Sequence, residues 1–286
     1  MRKSSNPKND KNFDLELILK LEKEGKNIKE ISKILDIDKH VVRYRLKKLG
    51  IFLRTTRSRL NKKHDYFDTI DTELKAYFLG FIVADGCIQE ERTKSGGVTK
   101  NLVLNNSIDD FEILNKFQKE IFGNENLQFR NSTPNRKRQC RVKINSTYLV
   151  DNLINNFNIK PNKTLDFDFL FPFEKIPTKY VRHFIRGFFD GDGCISMYTK
   201  SNIKRMSFVF TSKPFMGQIS TIIKESLPEI SISYDEKVGK TINHFVINIS
   251  LGKNKLEIVR DYLYKDSTIF LQRKFLKFNS QNTVLI

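Results

Sequence analysis

Ala76-Tyr77-Phe78-Leu79-Gly80-Phe81-Ile82-Val83-Ala84-Asp85-Gly86-Cys87-Ile88 decides how this chain is read, because its latter part returns as Gly187-Phe188-Phe189-Asp190-Gly191-Asp192-Gly193-Cys194-Ile195. The offset is 192 − 85 = 107 residues, and six residue types recur in one nine-residue frame. Each copy ends an apolar, helix-like run on an aspartate. A carboxylate there faces the negative end of the helix dipole, at a cost of about 0.3–1 kcal/mol, and a glycine inside a helix loses about 1 kcal/mol relative to alanine. Stability alone does not select this pattern. Gly80 and Gly187 would let two backbones approach closely, and the run from Ala76 to Ala84 is apolar on every face, as a central buried helix requires. Packing the two helices together brings Asp85 and Asp192 side by side. Carboxylates about 5 Å apart repel by about 3 kcal/mol at an effective dielectric of about 20, so the pair would share a proton or bind a cation. A divalent metal is the expectation.

A single Asp-Gly is ordinarily a turn or a helix stop; in-frame duplication argues otherwise. Asp190-Gly191-Asp192-Gly193 is not an EF-hand loop, since Ile195 and Ser201 occupy the required glycine and bidentate glutamate positions. The paired frame resembles the LAGLIDADG homing endonucleases. The motif falls on Phe78-Leu79-Gly80-Phe81-Ile82-Val83-Ala84-Asp85-Gly86 and on Ile185-Arg186-Gly187-Phe188-Phe189-Asp190-Gly191-Asp192-Gly193. Its glycine and final Asp-Gly are kept in both copies, while its earlier acid is Val83 in one and Asp190 in the other. The resemblance covers about residues 70–280.

Net charge of +18 over 286 residues, with 51 Lys and Arg against 33 Asp and Glu, argues for a polyanionic partner, nucleic acid before membrane. The residues after Met1 are polar, with no signal peptide, and no apolar run is long enough to span a bilayer. Cys87, Cys140 and Cys194 lack metal-site spacing and read as reduced thiols of an intracellular protein. His40, His64, His183 and His244 are too scattered to form a catalytic centre.

The expected fold is α+β: tandem, pseudo-two-fold αββαββα repeats with two DNA-binding antiparallel sheets, preceded by a small helix-turn-helix domain. The boundaries read as a disordered basic tail (1–12), a helix-turn-helix (13–53), a basic linker (54–69), a first repeat (70–163), an inter-repeat linker (164–177) and a second repeat (178–280). In the helix-turn-helix, Leu15, Ile18, Leu19 and Glu22 share a face. Asn27 caps a second helix with a stripe of Ile28, Ile31, Ile34 and Leu35. Asp38 caps a third, in which Val42, Leu46 and Leu49 face inward and Lys39, His40, Arg43, Tyr44 and Lys47 face out toward a major groove. A bundle with merely solvated charges is the alternative.

Strand chemistry alternates. Gln128 and Arg130, Arg141 and Lys143, Ser196, Tyr198 and Lys200, and Arg205 and Ser207 share polar faces suited to base edges and phosphates. With strands near 25 Å long, each sheet would follow roughly seven base pairs, or on the order of 15 to 20 for two sheets. A sheet wetted on one side explains the alternation too. Intervening helices carry Phe111, Leu114, Phe117 and Ile121, then Phe215, Ile219, Ile222 and Ile223, on their inner faces. Asn106 and Ser212 fall at equivalent places before them.

The resemblance implies further roles. Asp85 and Asp192, each with a backbone carbonyl (Ala84 and Gly191), would hold Mg2+, for which Mn2+ can substitute. Asn106 and Ser212 would order water, and Lys163 and Lys274 would lie near the scissile phosphates. The implied activity is double-strand cleavage of DNA at a long target, one acid per strand, by a monomer with no protein partner and no membrane. Rival readings are a group I intron RNA maturase and a non-cleaving transcription regulator. The helix-turn-helix opposes the first and retention of both acids opposes the second.

Overall fold

The computed structural model describes residues 13–24, 26, 28–49, 63–93, 96–123, 127–132, 137–198, 203–239 and 241–279. The tail 1–12, the cap Asn27, the basic run 54–62 and Lys200 lie outside them, as do the side chains of Lys47 and Tyr198. The chain divides into two compact units, residues 1–63 with 120–124, and residues 64–119 with 125–286. Among the described residues no helix is long and apolar enough to cross a membrane.

The first unit holds α1 (Leu15–Lys23), α2 (Ile28–Ile34) and α3 (Lys39–Lys48). Asp14 Oδ1 accepts from Leu17 N at 3.0 Å, and Asp38 Oδ1 from His40 N at 2.7 Å, so aspartates satisfy the first free amides of α1 and α3. Asp36 makes the intervening turn with φ 52°. Ile18, Leu21, Ile28, Ile31, Leu35, Ile37, Val42 and Leu46 form the core. Lys39, His40, Arg43 and Tyr44 are exposed, as the pattern predicts. Two expectations fail: Ile34 is 54 % and Leu49 55 % exposed. Both lie where helix geometry stops, Ile34 as the last residue of α2 and Leu49 just past α3, so three-and-four spacing no longer predicts their direction.

The second unit carries two copies of one topology. The first is α4 (Glu73–Asp85), β1 (Gly86–Arg92), β2 (Val98–Ser107), a 3-10 turn (Ile108–Asp110), α5 (Phe111–Phe122), β3 (Gln128–Arg130), β4 (Gln139–Asn145) and α6 (Thr147–Phe157). The second is α7 (Thr178–Asp192), β5 (Cys194–Tyr198), β6 (Ile203–Phe210), α8 (Lys213–Ser226), β7 (Ile232–Lys237), β8 (His244–Leu251) and α9 (Lys253–Tyr264), followed by α10 (Gln272–Asn279). The sheets run β1-β2-β4-β3 and β5-β6-β8-β7, antiparallel throughout. This is the predicted αββαββα order in each half.

Ala76 to Ala84 are all buried, so α4 is a core rod between the halves. Its main contact is α7. A Cβ on Gly80 would overlap Phe184 O and lie 2.9 Å from Phe188 N; a Cβ on Gly187 would overlap Tyr77 O and lie 3.0 Å from Phe81 N. Backbone therefore rests on backbone, which only glycine permits.

Within residues 64–69, read as part of the linker, Tyr66 and Phe67 are buried. The segment 164–177 also enters the core: the Phe169 ring meets Phe210 tilted and Phe215 edge-on, and Phe171 meets Phe184 tilted. Phe111, expected inward, is 36 % exposed because it opens α5; Ile113 takes the core position.

Candidate active site

Both motif aspartates end their helices. Asp85 closes α4, with Gly86 N bonded back to Ile82 O, and Asp192 closes α7, with Gly193 N bonded to Phe189 O at 2.8 Å. A Cβ on Gly191 would overlap Ala84 Cβ and lie 3.5 Å from Asp85 Oδ2, so the acid-bearing ends stand side by side. Burial raises the pKa of Asp85 and pushes that of Asp192 up to about 6, the latter helped by the Asp85 charge. Two half-buried carboxylates that each resist ionisation form a place where a cation is stabilising.

A lysine closes each helix end. Lys163, in the 3-10 turn Lys163–Leu165, donates from Nζ to Ala84 O at 3.1 Å and Gly86 O at 2.6 Å. Lys274, in the first turn of α10, donates to Phe189 O at 2.6 Å, Gly191 O at 3.1 Å and Gly193 O at 2.7 Å. Of these carbonyls, Ala84 O and Gly191 O belong to the last turns of α4 and α7, where a helix leaves oxygens unsatisfied, and a cation there also answers the dipole. Both lysines are buried, at 7 % and 4 % exposure, where surface lysines of a basic protein were the alternative. Burial lowers both pKa values, Lys274 to about 8, against the opposing pull of Asp192 and Asp85 on Lys163 and of Asp190 first on Lys274. The carbonyls of Ala84 and Gly191, read as metal ligands, thus already accept from ammonium groups, which leaves each oxygen one lone pair.

Asn106 and Ser212 behave differently. Asn106 Nδ2 donates to Asp85 Oδ2 at 2.8 Å, while its buried Oδ1 has no partner. Ser212 is the N-cap of α8, accepting from Phe215 N at 3.2 Å and donating to Phe169 O at 2.7 Å. The two are not register equivalents: Val103 lies opposite Cys87 and Ser207 opposite Cys194, so Asn106 corresponds to Phe210. The hydroxyl of Ser212 is committed to backbone.

A divalent ion fits this donor set. Among the described residues no three His, Cys, Asp or Glu side chains gather to hold a metal, so the protein would offer two carboxylates and leave the other positions to water and substrate. That is how Mg2+ is usually bound. The orphaned Asn106 Oδ1 suits a water beside Asp85.

The polar sheet faces form as predicted. Register sets Asn105, Arg141 and Gln128 in one row, Ser107, Gln139 and Arg130 in the next, and Cys87, Val103 and Lys143 in a third. On the second sheet Ser196, Arg205 and Ser250 align, as do Cys194, Ser207, Asn248 and Ser233. Acids share these faces: Lys143 Nζ lies 2.6 Å from Glu91 Oε1, and Asn248 Nδ2 bonds Asp235 Oδ2 at 2.6 Å.

The LAGLIDADG-like domain model matches residues 179–261. That span runs from α7 through most of α9, so the LAGLIDADG-like match contains Gly187 and Asp192; the first copy is tied to it by the shared frame and topology. Solved structures similar to the chain include I-DmoI in complex with DNA and Ca, at 15 % identity and TM-score 0.45, covering 68 % of this chain and 91 % of that one. I-DmoI in complex with DNA and Mn gives 14 % identity, TM-score 0.46, and 68 % and 98 % coverage. The LAGLIDADG meganuclease I-AabMI bound to uncleaved DNA gives 14 %, 0.45, and 71 % and 87 %. The comparison with curated proteins gives no match.

Several residues at the site carried no sequence signal. Asp190, read only as the motif's earlier acid, is fully buried and accepts from Tyr77 Oη at 2.9 Å, Tyr264 Oη at 3.3 Å and Leu271 N at 2.8 Å. Burial pushes its pKa up to about 6. Arg273 and Asp110 form an ion pair across the repeats at 2.7 Å.

Proposed function

We propose that this protein is a site-specific double-strand DNA endonuclease of the homing type, acting as a monomer. The carrying observation is the pair of aspartates at the ends of two glycine-packed helices, each helix end closed by a buried lysine. Asp85 and Asp192 would hold Mg2+, which when bound polarises a phosphate and lowers the pKa of a water. Asn106 keeps Asp85 oriented through its amide and offers Oδ1 to a water. Lys163 has one N–H beyond its two carbonyl bonds and can meet a phosphate oxygen; Lys274, with three carbonyl acceptors, contributes through its charge. One acid serves each strand.

Double-stranded DNA is the partner that the charge of +18 and the two polar sheet faces suit. Gln128, Arg130, Arg141, Lys143, Ser196, Tyr198, Lys200, Arg205 and Ser207 would face the duplex, with Arg141 Nε buried and without a partner in the free protein. Lys39, His40, Arg43, Tyr44 and Lys47 on α3 would read a further major-groove segment.

The test is a supercoiled plasmid carrying the gene's insertion site, incubated with Mg2+, with Mn2+ and with a chelator. Linear product only in the presence of metal supports the nuclease. Tight binding without cutting under every condition points to a regulator and ends this reading.

A further inference from the structure

Arg273 and Asp110 stand 163 positions apart and meet fork to fork, Nε to Oδ1 at 2.7 Å and Nη2 to Oδ2 at 2.9 Å. Asp110 is 3 % exposed and ends the 3-10 turn four residues after Asn106, the residue that holds Asp85. Arg273 immediately precedes Lys274, whose ammonium closes the end of α7 beside Asp192. A first-repeat carboxylate therefore grips the turn that carries the second repeat's lysine. A bidentate pair fixes orientation as well as distance.

The same turn is held a second time. Leu271 O receives Lys274 N at 3.0 Å and Phe275 N at 3.1 Å, and Leu271 N donates to Asp190 Oδ2 at 2.8 Å. Asp190 is itself fixed by Tyr77 of the first repeat and Tyr264 of the second. Among the described residues the Lys163 half shows no such clamps. Val83 stands at the position of Asp190, and Asn162, with φ 56° and no side-chain cap bond, precedes Lys163 where Arg273 precedes Lys274.

We propose that Asp110, Arg273 and Asp190 are positioning residues that hold Lys274 at the Asp192 half of the site, making cleavage of that strand depend on a first-repeat carboxylate. The dependence is not reciprocal. Pseudo-symmetric halves are thereby unequal, and loss of the clamp converts a double-strand cutter into an enzyme that nicks one strand. The strand readout rests on the nuclease reading above; the positioning itself does not.

Two measurements test it. In the first, a duplex labelled on each strand in turn is cut by wild type, Asp192→Asn, Asp110→Asn, Arg273→Lys and Arg273→Ala. Asp192→Asn identifies the strand served by that acid. Asp110→Asn and Arg273→Ala should slow the same strand at least tenfold and leave the other within threefold, with Arg273→Lys intermediate because it keeps the charge and loses the fork. Equal slowing of both strands, or none, overturns the proposal. The second measurement needs no DNA: acetylation of individual lysines by acetic anhydride is followed by mass spectrometry in the full-length protein. Lys274 should be protected in wild type and react at least tenfold faster in Asp110→Asn and Arg273→Ala, while Lys163 is unchanged. Unchanged Lys274 reactivity overturns the positioning role even if wild type cuts no DNA, an outcome that by itself would fail only the nuclease reading. Should Arg273→Ala not fold, Asp110→Asn, which keeps the side chain's shape, gives both readouts.

Discussion

Gly80 rests against the carbonyl oxygen of Phe184 with no room for a methyl group between them. The reciprocal contact, Gly187 on Tyr77 O, makes the helix pair a two-fold backbone seam. Gly80→Ala and Gly187→Ala should each cost at least ~3 kcal/mol, since the neighbour is backbone and cannot step aside. Urea unfolding of each variant checks this; a loss below ~1 kcal/mol contradicts the seam.

Asp85→Asn and Asp192→Asn should each retain DNA binding while double-strand cutting falls at least a hundredfold and nicked circles accumulate. The double variant should bind and not nick. Gel-shift and plasmid assays run side by side separate the two effects, and full linearisation by either single variant would refute one acid per strand.

Lys163→Met should be costly to the fold as well as to activity. Without the ammonium, the buried carbonyls of Ala84 and Gly86 lose a donor, a penalty of about 1–3 kcal/mol. Unfolding free energy and single-turnover cleavage should both drop, and a variant of wild-type stability would show that water replaces the lysine.

Midway along α7, Arg186 Nη1 lies 2.7 Å from His183 Nδ1, which must accept and so keeps the ring neutral. Burial, then the Arg186 charge, brings the His183 pKa down to about 4 from 6.5. Below pH 6.5 the unfolded chain takes up a proton that the folded protein refuses until about pH 4, so this histidine's contribution is lost as pH falls through that window. The loss reaches ~3 kcal/mol. His183→Gln keeps an acceptor and removes the titration; the difference between the two proteins' unfolding free energies should shift by roughly 2 kcal/mol between pH 7 and pH 4.5, and a constant difference would contradict the assignment.

The repeated frame made the helix seam, the paired acids and the two sheets legible, because glycine spacing and period-two alternation are local signals. Register even recovered which of Arg141 and Cys140 faces out. The clamp on Lys274 was not legible. Asp110 and Arg273 are separated by 163 residues, and nothing within a window of either marks a partner. Ser212 misled for a related reason: it stands just before its helix as Asn106 does, but Cys194 and Ser207 pair across 13 residues where Cys87 and Val103 pair across 16, and the shorter hairpin shifts the register by three. The roles of Asp190 and Arg186, buried charges inside an apolar motif, became visible only with the backbone amides and carbonyls that satisfy them.

Because every face of α4 from Ala76 to Ala84 is covered, the rod has no stable resting place until α7 exists. The ribosome adds about 5–20 residues per second, so roughly 5 to 20 s separate the emergence of Asp85 from that of Asp192. During that interval a nine-residue oily segment stands in the nascent chain without its mate. Chaperone supply during translation, more than the strength of the finished fold, should set the yield of this protein when it is made in a foreign host.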